Sequence, residues 1–174
     1  MLSVVDTNVN IVLLIGYVAL FTIASFNEEI MIRGYILNNL CDSMNQYIAL
    51  FISSLLFSLM HLGNANVTIL SFINILLAGI LLGIYYIHKR NLWLPIALHF
   101  SWNFFQGPVY GFEVSGVDIS GIIIQDLQGS DTLTGGPFGF EGSLFATLLM
   151  IVAILFLHYK YKNNKPHSND VNNS

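Results

Sequence analysis

Three short patterns in this chain set proton-handling side chains one helical turn apart. The first is Glu28-Glu29-Ile30-Met31-Ile32-Arg33, the second runs from Phe57 to His61, and the third from His99 to Asn103. Residues four apart in a helix share a face. Glu29 and Arg33 can therefore form an ion pair that leaves Glu28 on a neighbouring face. The Phe57 ring can cover one side of the His61 imidazole, and His99 and Asn103 stand together on one face of a third helix. A carboxylate and a histidine around one water make a hydrolytic base, with Glu28 taking the proton and His61 holding or sharing the water. His99 and Asn103 could donate N–H groups to the oxyanion of a tetrahedral intermediate, a contact worth about 2.7–4 kcal/mol per donor. The alternative is a metal site in which His61, His99 and a glutamate bind zinc and a water fills the fourth position. No H-E-x-x-H helix is present to favour that version, and the spacing leaves both open.

The surroundings of these groups make them conspicuous. Hydrophobic residues make up 55% of the 174 and charged residues only 9%, against about 25% charged in soluble domains. Lipid must replace water over much of the surface. Ionisable groups in the middle of a bilayer cost about 2.5–3.5 kcal/mol each on insertion scales, so three such clusters call for a reason. The net charge of −4, from ten acids and six bases, contains no basic stripe and excludes a nucleic-acid partner. Cys41 is the sole cysteine, which rules out an internal disulfide and a four-cysteine zinc site; it reads as a small apolar residue.

A bilayer core about 30 Å thick needs roughly 20 apolar residues in a helix. Five runs approach that length, and the expected fold is an all-α polytopic transmembrane bundle. Residues 10–40 form the first run, too long for one straight span and expected to break near Asn27, which could N-cap a new helix opening with Glu28 and Glu29. The others are residues 46–62, 67–87, 92–105 and 143–161. Ala78, Gly79 and Gly83 suit close helix contact in the third, and Pro95 is tolerated in the first turn of the fourth. Residues 107–142 hold nine of the fourteen glycines and read as a partly ordered surface or lid loop. One peptidase-sized domain, residues 1–159, is expected, followed by a disordered polar cytoplasmic tail over residues 160–174. The first ten residues carry Asp6 and no Lys or Arg, unlike a cleaved signal.

Lys89 and Arg90 follow the third run, and Lys160, Lys162 and Lys165 the fifth, which places both ends in the cytoplasm. The glycine-rich loop carries Glu113, Asp118, Asp126, Asp131 and Glu141 without a cation, which places it and the N-terminus outside. His88, His158 and His167 read as interface or tail residues. Trp93, Trp102 and the tyrosines at run ends read as interface anchors or packing.

The order E-E-x-x-x-R, F-x-x-x-H, H-x-x-x-N on successive apolar helices resembles the CPBP family, the CAAX-protease and bacteriocin-processing intramembrane proteases also called the Abi family. The matching residues are Glu28, Glu29 and Arg33, then Phe57 and His61, then His99 and Asn103. The phrase at residues 91–103 looks like the bacterial branch. The resemblance implies an intramembrane endopeptidase of a bacterial inner membrane, often labelled a metalloprotease, that cleaves a peptide or membrane-protein substrate. The first-pattern glutamate and second-pattern histidine would activate water, and His99 and Asn103 would hold the oxyanion. Peptide maturation and bacteriocin self-immunity fit the bacterial resemblance. Family members commonly have more spans before the first pattern, which makes this chain a compact or truncated member. Two rivals predict no cleavage: a membrane immunity or scaffold protein that binds a peptide, and a small transporter or proton relay.

Overall fold

The computed structural model describes residues 2–162. The tail expected beyond Lys162, with Lys165 and His167, lies outside the described residues. Strand β1 (Leu2–Thr7) leads to Asn10, whose side chain accepts from the amides of Val12 and Leu13 and so caps helix α1 (Ile11–Glu29). The helix does not break at Asn27. It passes directly into a π-helical segment, Ile30–Leu37, and then into α2 (Asn38–Ser43), making one 33-residue rod. The physical reason is the lack of water: a broken helix would strand backbone groups in an apolar medium, whereas a π segment absorbs the irregularity and keeps them bonded. A rod of this length covers about 50 Å, more than the hydrocarbon core, so it crosses tilted or projects beyond it.

Helix α3 (Gln46–Met60) starts at Asn45, which accepts from the Tyr47 amide, and closes in a 3-10 turn at His61–Gly63. Thr68 and Ser71 form a reciprocal capping box that opens α4 (Ile69–Lys89), and Arg90 ends it in the left-handed region. Helix α5 (Trp93–Phe104) holds Pro95 in its first turn and runs into a second π segment, Phe105–Val109. After β2 (Ile123–Leu127) and the short α6 (Asp131–Thr134), α7 (Leu144–Tyr161) begins at a Ser143 cap. It continues through Lys160 and Tyr161, two residues into the stretch read as tail.

Among the described residues, four helical segments are long and apolar enough to cross a membrane. The fourth apolar run is the exception among the five expected, because α5 has 12 residues and packs inside the bundle against α1 and α4. Large apolar side chains face outward along the spans, with Val12 79% and Phe156 60% exposed, as a lipid-facing belt requires. The interior is built on close approach. A Cβ added at Gly79 of α4 would lie 2.8 Å from the Ser54 Cβ of α3, so the small residue lets the two backbones meet.

The glycine-rich segment is more than a surface loop. Its strand β2 pairs antiparallel with β1, Thr7 opposite Ile123, which brings the N-terminus and this loop to the same end of the molecule. Its Phe138, Val114, Ile119 and Glu141 are buried against the helices. At the opposite end, Arg90 donates to the Asn38 side chain and Lys89 lies 5.4 Å from the Tyr161 ring. The acids and cations thus gather at opposite ends, as the charge pattern led us to expect. His88 is buried rather than interfacial, hydrogen-bonded to His158 across 3.3 Å.

Candidate active site

The first pattern straddles the junction between α1 and its π segment. Glu29, the last α-helical residue, and Arg33 form an ion pair of 2.6 Å with both side chains fully buried. Arg33 also donates to the Gly79 carbonyl at 3.0 Å and lies over the Phe57 ring. On its other side, Glu29 Oε1 sits 2.9 Å from His99 Nδ1. A carboxylate only accepts, so Nδ1 carries the proton there and the Nε2 of His99 is turned elsewhere. Arg33, Glu29 and His99 form a line through the interior that fixes the imidazole, helped by the edge of Phe57 at 6.1 Å between centroids. A buried pair of this kind survives because each charge meets a partner.

Glu28 points the other way, into a cleft of roughly 430 Å³ that His61, His99, Asn103 and Ser115 also line. Its Oε2 is buried and free of hydrogen bonds, 3.8 Å from His99 Nε2. That separation is too long for a direct bond, yet it lets one oxygen atom lying to the side contact both groups. His61, at the end of α3, lies against Phe57 with the rings tilted by 58° and centroids 4.6 Å apart. Its Nδ1 is 2.8 Å from the Phe57 carbonyl. The carbonyl can only accept, so Nδ1 is the protonated nitrogen and Nε2 keeps its lone pair in the neutral ring. The walls around these groups are apolar: Leu20, Phe21 and Ala24 of α1, Met60 of α3, and Val114, Val117 and Ile119 of the loop.

The structure therefore brings all three patterns together and sorts their members. Glu28, His61, His99 and Asn103 border the cleft, while Glu29 and Arg33 stand behind it as supports. One π segment begins within the glutamate pattern, straight after Glu29, and the other begins two residues after Asn103, a distortion often found at functional sites.

Other groups at the site carried no such signal in the sequence. Ser115, Trp102 and Glu141 border a second, inner space of about 40 Å³ that also touches His61, His99 and Asn103. Glu141, from the loop read as external, is only 3% exposed. It accepts from Ser115 Oγ at 2.5 Å and from Trp102 Nε1 at 3.3 Å, so Trp102 serves the site interior rather than an interface. Burial pushes the Glu141 carboxyl above the usual carboxylate range, while Ser115, His61 and Trp102 pull it back down. Because the motifs lie upstream, only the chemical oddity of an acid beside Gly142 and Ser143 could have flagged it.

The zinc set read from the sequence finds no matching geometry. Among the described residues no three of His, Cys, Asp or Glu are placed to hold one metal ion.

Fold and site together define a class, a polytopic helical membrane protein with a polar acid-imidazole cleft inside the bundle. The family then follows from comparison with known proteins: a model described as "Type II CAAX prenyl endopeptidase Rce1-like" matches residues 10–105, and the chain belongs to this family. It is a CAAX-protease-like intramembrane endopeptidase. Comparisons with curated proteins and with solved structures gave no match. The matched stretch takes in all three patterns and ends where the second π segment begins.

Proposed function

We propose that the cleft hydrolyses a peptide bond with Glu28 as general base. The observation that carries this reading is the free, cleft-facing Glu28 Oε2 beside His99, in a space shared with His61 and Asn103. A water near Glu28 loses its proton to the carboxylate as its oxygen forms a bond to the scissile carbonyl carbon. His61 Nε2 accepts the water's second hydrogen and orients it. The carbonyl electron pair moves onto oxygen, where the Asn103 amide donates to it, joined by His99 Nε2–H when that ring carries both protons. Glu29 is then the counter-charge to His99, and Arg33 the counter-charge to Glu29. Finally the C–N bond breaks and the amine leaves with a proton.

The apolar cleft walls favour an apolar stretch of a peptide or membrane protein as substrate. We infer a bacterial membrane setting, with peptide maturation or bacteriocin self-immunity as the process, from the phrase at residues 91–103. The test compares the membrane peptidome of cells carrying the wild type with that of cells carrying Glu28→Gln. A fragment present only with the wild type is expected and would reveal the substrate. Identical peptidomes would sink this reading.

A further inference from the structure

The hydrolysis above requires a donor for the departing amine, and this inference rests on that reading. We propose that the glycine-rich loop supplies the donor as a pair, Ser115 and Glu141, facing Glu28 across the histidines.

Three observations carry it. Ser115 borders both the cleft that holds Glu28 and the inner space that holds Glu141, so its hydroxyl can address both. Its backbone has φ 49, a conformation unfavourable for a residue with a side chain. The Asn64 side chain donates to its carbonyl at 3.0 Å, holding it there. Gly116 follows with φ 80 and sits so tightly against the Ala65 carbonyl that a Cβ has no room. The turn thus aims one hydroxyl inward.

The second observation is the bond itself. At 2.5 Å, Ser115 Oγ and Glu141 Oε1 are at the short end of the O–H···O range, and a protonated Glu141 carboxyl can donate across the same contact. The third is that the loop has main-chain anchors besides the carboxyl group, which itself accepts from Trp102 of α5. Asn74 of α4 donates to the Glu141 and Ser143 carbonyls at 2.7 and 2.9 Å, and Thr147 of α7 donates to Asn74 Oδ1. Main-chain bonds dock the segment.

The step balances as follows. When the C–N bond of the tetrahedral intermediate breaks, its electron pair goes to nitrogen, which takes the Ser115 hydroxyl proton. Ser115 takes the proton of the Glu141 carboxyl in turn, leaving a carboxylate. The proton that Glu28 removed from water leaves through the cleft, and one from solvent restores Glu141. Water adds across one peptide bond, and no oxidant or metal enters. Ser115 is a catalytic residue in this scheme, and Glu141 a positioning residue acting through it.

The experiment measures initial rates of fragment release in membrane vesicles containing the full chain, with folded protein quantified in parallel. Ser115→Gly suits the backbone and removes the hydroxymethyl group; Glu141→Gln keeps the size and one of the two acceptor oxygens. Each is expected to slow release about 10²-fold with wild-type levels of folded protein. The double variant should be no slower than either alone, because the pair acts as a unit. Glu141→Asp should recover part of the rate, and Glu141→Ala none. Wild-type rates in Ser115→Gly and Glu141→Gln, with Glu28→Gln inactive, overturn this pair and leave the general base standing. Losses that track loss of folded protein, or that multiply in the double variant, assign the pair to the fold and also overturn it. Release that persists in Glu28→Gln overturns the hydrolytic reading and this inference with it.

Discussion

Glu28 and Glu29 are neighbours in sequence but open onto two different regions of the bundle. Glu29 belongs to the protein interior, where Arg33 and His99 take one of its oxygens and the Gly79 carbonyl accepts from the guanidinium. Glu28 borders a cleft, its side chain 32% exposed and its buried Oε2 3.8 Å from His99 Nε2 with no hydrogen-bond partner. One helical residue step, about 100° around the axis, separates a structural charge from a reactive one. The contrast shows that an acid's role is set by what surrounds it. Each acid has an Oε2 without a hydrogen-bond partner, so the difference lies in the surroundings: Glu29 is held at Oε1 by two donors inside the protein, and Glu28 borders the cleft.

If the contrast is correct, substitutions on the two sides should fail in different ways. The largest effect should come from Glu28→Gln. Fragment release should fall about 10²–10⁴-fold, with a melting temperature in lipid nanodiscs close to that of the wild type. A matching collapse in stability would erase the distinction between the two acids. On the interior side, Arg33→Met should strand a buried carboxylate and cost about 3–5 kcal/mol. Adding Glu29→Gln to it should restore part of that loss, measured by denaturant or thermal unfolding in mild detergent. Gly79→Val tests the wall on which Arg33 rests. Its side chain meets Ser54 with no space to spare, and the expected cost is about 1–3 kcal/mol.

The smallest effect concerns Glu141. Its carboxyl is held above the usual carboxylate range chiefly by burial, so the folded chain keeps that proton better than the unfolded one does. The associated stability is complete below the unfolded carboxyl's range and is lost as pH rises through the folded value. Glu141→Gln removes this dependence. Melts at pH 4, 6 and 8 should therefore show the variant gaining on the wild type as pH increases.

Legibility followed the range over which each signal acts. The Glu29–Arg33 pair and the Phe57–His61 ring pair are i,i+4 contacts, settled by helical geometry once the helices were assigned. Gly79 was readable because a small residue in an apolar helix has few other uses. The expected break at Asn27 failed because capping preference is a rule for helices that meet water, and here the backbone stays bonded through a π segment. The fourth run fell short on length: α5 has 12 residues, and an apolar composition alone does not say whether a helix crosses the bilayer.

The sequence by itself determined that this chain enters a membrane, that its ionisable residues are grouped by helical turns, and which family those groups resemble. These follow from hydropathy and from a fixed helical period, both local in the chain. Only the tertiary structure decided that Glu28 faces the cleft while Glu29 turns away, and that a loop acid 42 residues beyond His99, Glu141, lies beside the same histidines. Loop residues have no periodicity to reveal where they point. Their contacts are fixed by bonds such as those of Asn74 to the Glu141 and Ser143 carbonyls, which come into being only when distant parts of the chain have packed together.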